Sequence, residues 1–338
     1  MVWFRRDALL ASNMASNLDG IDVGPRWTVR SWRPKLAFAG LVLLLVGNAV
    51  AFNHAWSFTH FSRAEAKTAR PETLSFGDRL TVLATGVALP RPENTRFPGQ
   101  LGLAATTVVV DGASCWVVAG KNPDLVVLFH GYGGSKSDLL EEAAVFHGLG
   151  YSVVTVDFLG SGDSPGNVTT LGWSEAEVVA NVTAHFRLSG ELVLFGKSMG
   201  SAAILRAVGV DGLNADALIL ENPFDRLVTT VGHRFEAMGL PAFPGAEVLV
   251  FYGGMQVGFN GFAHNPVEYA RRVRVPTLIL HGEEDPRVKP EEVQAIADAL
   301  AGPNEVELFP GAGHVGLIAA DRDRWISTVS AWLHAPGG

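Results

Sequence analysis

The feature that most constrains the fold is a change from a strand pattern to a helix pattern around one serine. In "LVLFGKSMGSAAIL", residues 192–205, four apolar residues lead into Gly196-Lys-Ser-Met-Gly200, and small and apolar residues then resume. Glycines on both sides of Ser198 remove the side chains that would clash in so sharp a turn. The pattern predicts that Ser198 projects from a strand-to-helix turn, with the N-terminus of the next helix pointing at it.

The rest of the chain alternates in the same way. "TTVVV" and "SCWVV" flank Asp111-Gly112, a residue pair preferred in hairpin turns, and predict two antiparallel strands. Further strands are predicted at 125–129, 151–156, 191–195, 217–220, 276–280 and 304–308, and helices near 137–148, 174–187, 199–209, 290–301 and 321–334. Continuous apolar strands separated by helices predict an α/β fold with a mostly parallel sheet, whose functional loops follow the carboxyl ends of the strands.

Two such loops hold partners for the serine. A serine hydroxyl is a weak nucleophile near neutral pH and needs a base, which in turn needs an acid to orient it. Asp285 follows one predicted strand in "HGEEDP", and His314 follows the next in "GAGHVG". We therefore expect Ser198, Asp285 and His314 to form a catalytic triad, with Glu283 and Glu284 in the same turn as competing acids.

A second glycine-rich turn is a candidate oxyanion hole. The turn His130-Gly-Tyr-Gly-Gly134 follows the first parallel strand and can offer the Tyr132 amide to an oxyanion. The Met199 amide, directly after the serine, would be the second donor. A phosphate-binding loop is the rival interpretation, but the G-x-x-x-x-G-K-[ST] spacing is absent.

These motifs together resemble the α/β-hydrolase superfamily. Within it they are most similar to serine aminopeptidase-like hydrolases, monoacylglycerol lipases and membrane-anchored acyl-thioester or lipid hydrolases. The resemblance covers residues 104–335 and rests on H-G-Y-G-G, D-x-x-G-x-G-x-S beginning at Asp157, G-K-S-M-G, "ENPF" and H-G-x-x-D ending at Asp285. It implies an α/β-hydrolase fold for residues 104–338 and favours Asp285 over Glu283 and Glu284 as the acid. Glu221 is the alternative acid, because it follows the strand after Ser198, where some members of the superfamily carry the acid. It also implies that Asp157 belongs to a structural turn.

The insert at residues 224–275 lies where this fold carries a lid over its pocket. It contains "PAFPGAEVLVFYGGMQVGFNGF", which is apolar and aromatic with scattered glycines. One interpretation is a short mobile cap that admits an acyl chain. The other is a packed helix pair.

The N-terminal part predicts a membrane segment. "LAFAGLVLLLVGNAVAF", residues 36–52, is uncharged, and the uncharged run continues to Phe58 with tryptophans on both sides. We predict a transmembrane anchor at 36–58, after a basic leader at 1–35 and before a linker and entry segment at 59–103. A cleavable signal peptide is the alternative, because Ala49-Val-Ala51 fits a cleavage site. A slight bias of basic residues favours an extracytoplasmic hydrolase domain on a single-pass anchor.

Composition narrows the functional classes. Residues 1–58 contain six Lys or Arg and three Asp, whereas the rest contains 20 basic and 31 acidic residues, so nucleic acid is not expected as a partner. No metal or cofactor motif is present, and Cys115 is expected to be a small buried hydrophobe. The sequence predicts a membrane-anchored serine hydrolase that cleaves a carboxylic ester or related acyl bond in a small or lipid-like substrate. A peptidase, an acyl-protein thioesterase and a non-catalytic scaffold are the alternatives.

Overall fold

The computed structural model describes residues 32–62, 68–69, 73–187, 189–314 and 316–335. The predicted leader, residues 1–35, lies outside this part of the chain except for its last four residues, as do parts of the predicted linker. The chain divides after Val46, and residues from Gly47 onward form one compact unit that holds the whole sheet.

A single eight-stranded sheet forms the centre of this unit. Its strands are β1 (Ala105–Val110), β2 (Ala113–Val118), β3 (Leu125–Phe129), β4 (Ser152–Val156), β5 (Leu192–Lys197), β6 (Ala217–Glu221), β7 (Thr277–Gly282) and β8 (Asn304–Phe309). They lie in the order β1-β2-β4-β3-β5-β6-β7-β8. β1 and β2 form the predicted antiparallel hairpin, and β2 also pairs antiparallel with β4. Strands β3 to β8 are parallel to one another. The predicted strands and the α/β fold class are confirmed.

Helices from the chain cover both faces of the sheet. The described helices are α1 (Trp32–Thr59), α2 (Phe76–Thr85), α3 (Leu140–Gly148), α4 (Glu175–Phe186), α5 (Met199–Gly209), α6 (Leu227–Ala237), α7 (Gly245–Val257), α8 (Pro266–Ala270), α9 (Pro290–Ala299), α10 (Leu317–Ala320) and α11 (Arg322–Leu333). Successive strand residues point to opposite faces. Val127 belongs to the core that includes residues of α4, α5 and α9, whereas Val126 belongs to the core that includes residues of α3 and α11. Both cores are therefore built from the same apolar strands.

The segment after α1 differs from the prediction. Residues 59–62 were expected to belong to a linker, yet Thr59 and Phe61 are buried. The Thr59 carbonyl accepts a hydrogen bond from the Thr169 amide at 2.9 Å, and the Phe61 amide donates to the Asn167 carbonyl at 2.7 Å. Because these bonds satisfy the backbone of two segments far apart in the chain, local composition did not reveal them.

Helix α1 contains the predicted membrane segment. Pro34–Thr59 is long and apolar enough to cross a membrane by length and composition. A signal sequence near an N-terminus would meet the same criterion.

The predicted insert is a helix pair. Helices α6 and α7 pack against each other, and Gly245 at the start of α7 allows the ring of Phe235 to lie directly against its backbone. The structure shows that the two helices are packed; that they act as a mobile cap stays a prediction. We call α6 and α7 the cap.

Candidate active site

Ser198 lies in the sharp turn between β5 and α5. Its backbone has φ 49° and ψ −106°, a conformation that L residues rarely adopt. A Cβ at Gly196 would approach the Gly200 carbonyl carbon to 2.6 Å, and a Cβ at Gly200 would overlap the Phe129 carbonyl oxygen. The Ser198 amide donates to the Glu221 carbonyl at 2.7 Å, which ties the turn to β6. The glycines thus let the strand and helix approach closely enough to hold the serine in this conformation.

The three predicted triad residues are in one hydrogen-bonded row. His314 Nε2 lies 3.1 Å from Ser198 Oγ, and His314 Nδ1 lies 2.6 Å from Asp285 Oδ2. An ionised Asp285 can only accept, so Nδ1–H donates to it and Nε2 is left to accept the serine proton. The structure therefore brings Ser198, His314 and Asp285 together in the order that the chemistry needs.

The environment of Asp285 keeps it ionised. Burial alone raises the pKa of this carboxyl, but the hydrogen bond from His314 and those from two backbone amides outweigh it and hold the pKa below its usual value. The amides are those of Arg287 and Val288, at 2.7 and 3.1 Å from Oδ1. Oδ1 thus binds the backbone of the loop, and Oδ2 orients the histidine.

Glu221, the alternative acid, faces other groups. Its carboxylate accepts hydrogen bonds from the Leu317 amide at 3.1 Å and the Trp325 indole at 3.2 Å. Lys197 lies between it and Glu142, with its ammonium 2.5 Å from the Glu142 carboxylate and 4.0 Å from that of Glu221. Burial raises the pKa of Glu221 to about 7. This carboxyl is placed to support the loop after β8 rather than to orient His314.

The candidate oxyanion hole lies against the serine. A Cβ at Gly131 would be 3.5 Å from the Ser198 Cβ, so the turn after β3 passes directly beside Ser198. Within the described residues, neither the Tyr132 amide nor the Met199 amide donates a hydrogen bond. Met199 begins helix α5, whose first amides have no partner within the helix. Among the described residues, both amides therefore lack an acceptor, as the predicted oxyanion hole requires.

His130 holds this turn in place. Its Nε2 accepts a hydrogen bond from the Phe158 amide at 3.1 Å, so its Nδ1–H must donate to the Gly131 carbonyl at 2.8 Å. Burial lowers the pKa of this imidazole, which keeps it neutral and preserves that arrangement. His130 therefore positions the turn without reaching the serine.

The Tyr132 side chain makes contacts that no motif in the sequence indicates. Its hydroxyl donates to the Phe58 carbonyl at 2.7 Å, and its ring packs against Phe61 with centroids 5.8 Å apart. The Arg234 guanidinium lies 5.1 Å from the Phe58 ring centroid and 5.5 Å from that of Tyr132. The turn beside Ser198 is thus attached to the end of α1, a contact between segments that show no local signal of it.

A narrow cavity of about 40 Å³ lies beside this contact. Its walls include Ala55, Phe58 and Thr59 from α1, Val231 and Arg234 from α6, and Gly253 from α7. The lining is apolar apart from Arg234 and Thr59, and neither Ser198 nor His314 contributes to it. The end of α1 and the cap therefore enclose an apolar space next to the site.

Asp157 and Cys115, which the sequence also drew attention to, are buried in the fold. Asp157 is buried and accepts hydrogen bonds from the Lys136 amide and ammonium and from the Asp163 amide, as expected of a structural turn. Cys115 is buried, and burial raises the pKa of its thiol to about 12. Among the described residues, no group of three His, Cys, Asp or Glu side chains is arranged to hold a metal ion.

Sequence comparison agrees with this geometry. A model of the alpha/beta hydrolase family matches residues 126–327, which include the Ser198 turn and both partner loops. The chain belongs to the alpha/beta hydrolase family. This hydrolase is 26% identical over 204 residues to lysophosphatidylserine lipase ABHD12 of Danio rerio, a region that covers 57% of this chain and 52% of the lipase. The matched region thus spans about half the length of that relative.

Solved structures show the same fold. The esterase Pf2001 of Pyrococcus furiosus matches this hydrolase with a TM-score of 0.61 and 23% identity, over 74% of this chain and 97% of the esterase. A membrane phospholipase A, described as a bacterial virulence factor, matches with a TM-score of 0.51 and 21% identity, over 88% of this chain and 98% of its own. At such identities the likeness concerns the fold.

Proposed function

We propose that this protein is a membrane-anchored serine hydrolase that cleaves carboxylic esters through an acyl-enzyme. The observation that carries the proposal is the row from Asp285 through His314 to Ser198, with distances of 2.6 and 3.1 Å. Two amides beside the serine, which donate to no acceptor among the described residues, would supply the remaining requirement of acyl transfer, which is stabilisation of a tetrahedral oxyanion.

The reaction follows from these positions. Ser198 Oγ attacks the ester carbonyl carbon while its proton moves to His314 Nε2, and Asp285 stabilises the imidazolium. The oxyanion receives hydrogen bonds from the Tyr132 and Met199 amides. The C–O bond to the leaving group breaks as His314 returns the proton to the departing alcohol. Water then attacks the acyl-enzyme in the same way, which releases a carboxylic acid and restores the serine.

We propose a lipid-like ester with one acyl chain as the substrate. The apolar cavity between α1 and the cap supports this choice, because it offers no carboxylate to bind the amino group of a peptide. The relative named a lysophosphatidylserine lipase acts on a lipid of this kind. A peptidase or an acyl-protein thioesterase would use the same triad, since the fold does not determine which bond is cleaved.

The membrane part of the proposal rests on α1. Residues 36–58 would form a single-pass anchor, with the hydrolase domain on the extracytoplasmic side. The full-length protein should then resist extraction by carbonate and high salt, keep its complete mass and dissolve only in detergent. A soluble chain that begins near Phe52 would show instead that the segment is a signal peptide. Protease added to cells with an opened outer envelope should digest the hydrolase domain, and full protection would place that domain in the cytoplasm.

A substrate panel tests the enzymatic proposal. We expect hydrolysis of p-nitrophenyl esters and labelling by a fluorophosphonate probe, both abolished in Ser198→Ala. Turnover should fall by about 10⁴-fold or more, because triad members act as a unit. Aminoacyl amides and an acyl thioester in the same panel separate the alternatives. A folded Ser198→Ala protein with near-normal activity would remove Ser198 from the mechanism, and a wild type that neither labels nor turns over would support the scaffold.

A further inference from the structure

Helix α7 has an unusual solvent-facing surface. Phe251 and Met255, one turn apart on the same face, are 55% and 54% exposed. Over its 13 residues the helix has one charged side chain, Glu247. Phe243 and Phe262, in the loops on either side, are also exposed. A surface helix of a soluble domain normally turns a polar face to water, so this face of α7 is suited to an apolar environment.

The contacts of α7 with α1 indicate that this apolar environment is a lipid bilayer. Lys35 is the last charged residue before the apolar run, and the hydrocarbon core of a bilayer takes about 20 helical residues. A span that begins at Leu36 therefore reaches about as far as Ala55. Residues 48 and 52 of α1 then lie within the hydrocarbon, and Thr59 lies just outside it, at the level of the headgroups.

The cap contacts α1 at these depths. The Tyr252 hydroxyl donates to the Asn48 side chain at 2.8 Å, and the Gln256 side chain donates to the Phe52 carbonyl at 2.8 Å. Asn48 is the one polar side chain of residues 36–52, so Tyr252 gives it a partner where lipid offers none. Gly253 faces Thr59, which places the backbone of α7 near the headgroups and its two long polar side chains deeper.

We propose that the cap is a second membrane contact, in which α7 lies in the bilayer interface with Phe251 and Met255 among the acyl chains. This inference rests on the anchoring role of α1 in the proposed function. An interfacial helix typically buries its apolar face about 5–10 Å into the headgroup and acyl boundary. At that depth the cavity between α1, α6 and α7 adjoins the acyl-chain region. A lipid ester then enters the site from the membrane, without crossing water.

Lipid-quenching measurements test the immersion directly. Full-length Phe251→Cys and Met255→Cys are labelled with a bimane fluorophore and placed in phosphatidylcholine nanodiscs with or without 5-doxyl phosphatidylcholine. Cys115 is buried, so the new cysteine takes the label. The matched control is Val210→Cys, an exposed apolar position at the far end of α5 from Ser198. We expect doxyl lipid to reduce fluorescence at 251 and 255 by at least about twofold and at 210 hardly at all. Equal quenching at 251 and 210 in the full-length chain overturns the proposal.

Activity measurements separate this inference from the proposed function. In Phe251→Glu with Met255→Glu, hydrolysis of a long-chain lysophospholipid in vesicles should fall by about tenfold, because charge is excluded from the acyl region. Hydrolysis of soluble p-nitrophenyl butyrate should not change in that variant, and Val210→Glu should affect neither substrate. Loss of both activities with a normal thermal midpoint would place these residues in the site and contradict the proposal. If the wild type hydrolyses neither ester, the proposed function fails, while quenching still reports immersion.

Discussion

The turn around Ser198 and the end of α1 lie on either side of Tyr132, but they are built in different ways. The serine turn depends on residues within a few positions of one another, and its glycines are required by backbone atoms of neighbouring segments. The end of α1 depends on contacts between distant residues, such as Tyr132 with Phe58 and Tyr252 with Asn48, which are 74 and 204 positions apart. A local constraint of this kind leaves a motif in the sequence, and a distant one does not.

The two regions also differ in packing. A side chain at Gly196 or Gly200 would collide with backbone, which has no room to move. The end of α1 and the cap instead border a cavity of about 40 Å³. We therefore expect substitutions in the serine turn to lower activity or stability strongly. Substitutions at the end of α1 should lower them by smaller amounts.

The largest effect is expected for Asp285→Asn. Removing the ionised partner of His314 leaves the imidazole in the wrong tautomer for accepting the serine proton, so kcat should fall by about 10³-fold or more. Glu221→Gln should cost less than about tenfold, because Glu221 supports Leu317 and Trp325 rather than the histidine. Steady-state kinetics on one soluble ester compares the two variants. The reverse ranking would assign the acid role to Glu221.

Gly200→Ala tests the steric origin of the serine turn. The added Cβ would overlap the Phe129 carbonyl, so the free energy of unfolding should fall by about 2–4 kcal/mol. Gly148→Ala is the control, since a Cβ there meets nothing within 4 Å. Denaturant titration measures both. Equal stability of the two variants would show that the turn has more freedom than its geometry indicates.

A smaller effect is expected from the buried carboxyl behind the turn. Burial raises the pKa of Glu221 from 4.5 to about 7, so between these values the folded protein holds a proton that the unfolded chain releases. Stability conferred by this group is therefore present at low pH and is lost as the pH rises towards and through 7. From pH 5 to pH 8 the thermal midpoint should fall further in wild type than in Glu221→Gln. Burial also raises the pKa of Glu292 to about 8. Because Glu292 is present in both proteins, its contribution to the pH dependence of stability cancels in the comparison.

The smallest effect is expected for Tyr132→Phe, at the junction of the two regions. Loss of the hydrogen bond to Phe58 should loosen the turn that holds the oxyanion amide, which lowers kcat by about fivefold and leaves KM nearly unchanged. Tyr151→Phe is the matched control, because its hydroxyl binds Glu191 away from the site. Equal kcat values for the two variants would show that α1 does not support the turn.

The sequence by itself determined the sheet, most of the helices and the identity of the candidate site residues. Apolar strands and amphipathic helices have different periods, so their alternation was visible without coordinates. The turns at Ser198, Asp285 and His314 were recognisable because each follows a strand and needs small or special residues locally. The catalytic roles of these residues remain predictions, as does the membrane anchor.

Only the tertiary structure decided which carboxylate faces His314 and where the end of α1 lies. Glu221 ends the parallel strand β6 and Asp285 follows β7, and the orientation of each side chain depends on the packing of the loops around it. Thr59 and Phe61 lie in polar surroundings in the sequence, yet their backbone pairs with residues 167–169, more than 100 positions away. Such pairing is settled by which distant backbone groups meet after the chain has folded, and no local pattern records it.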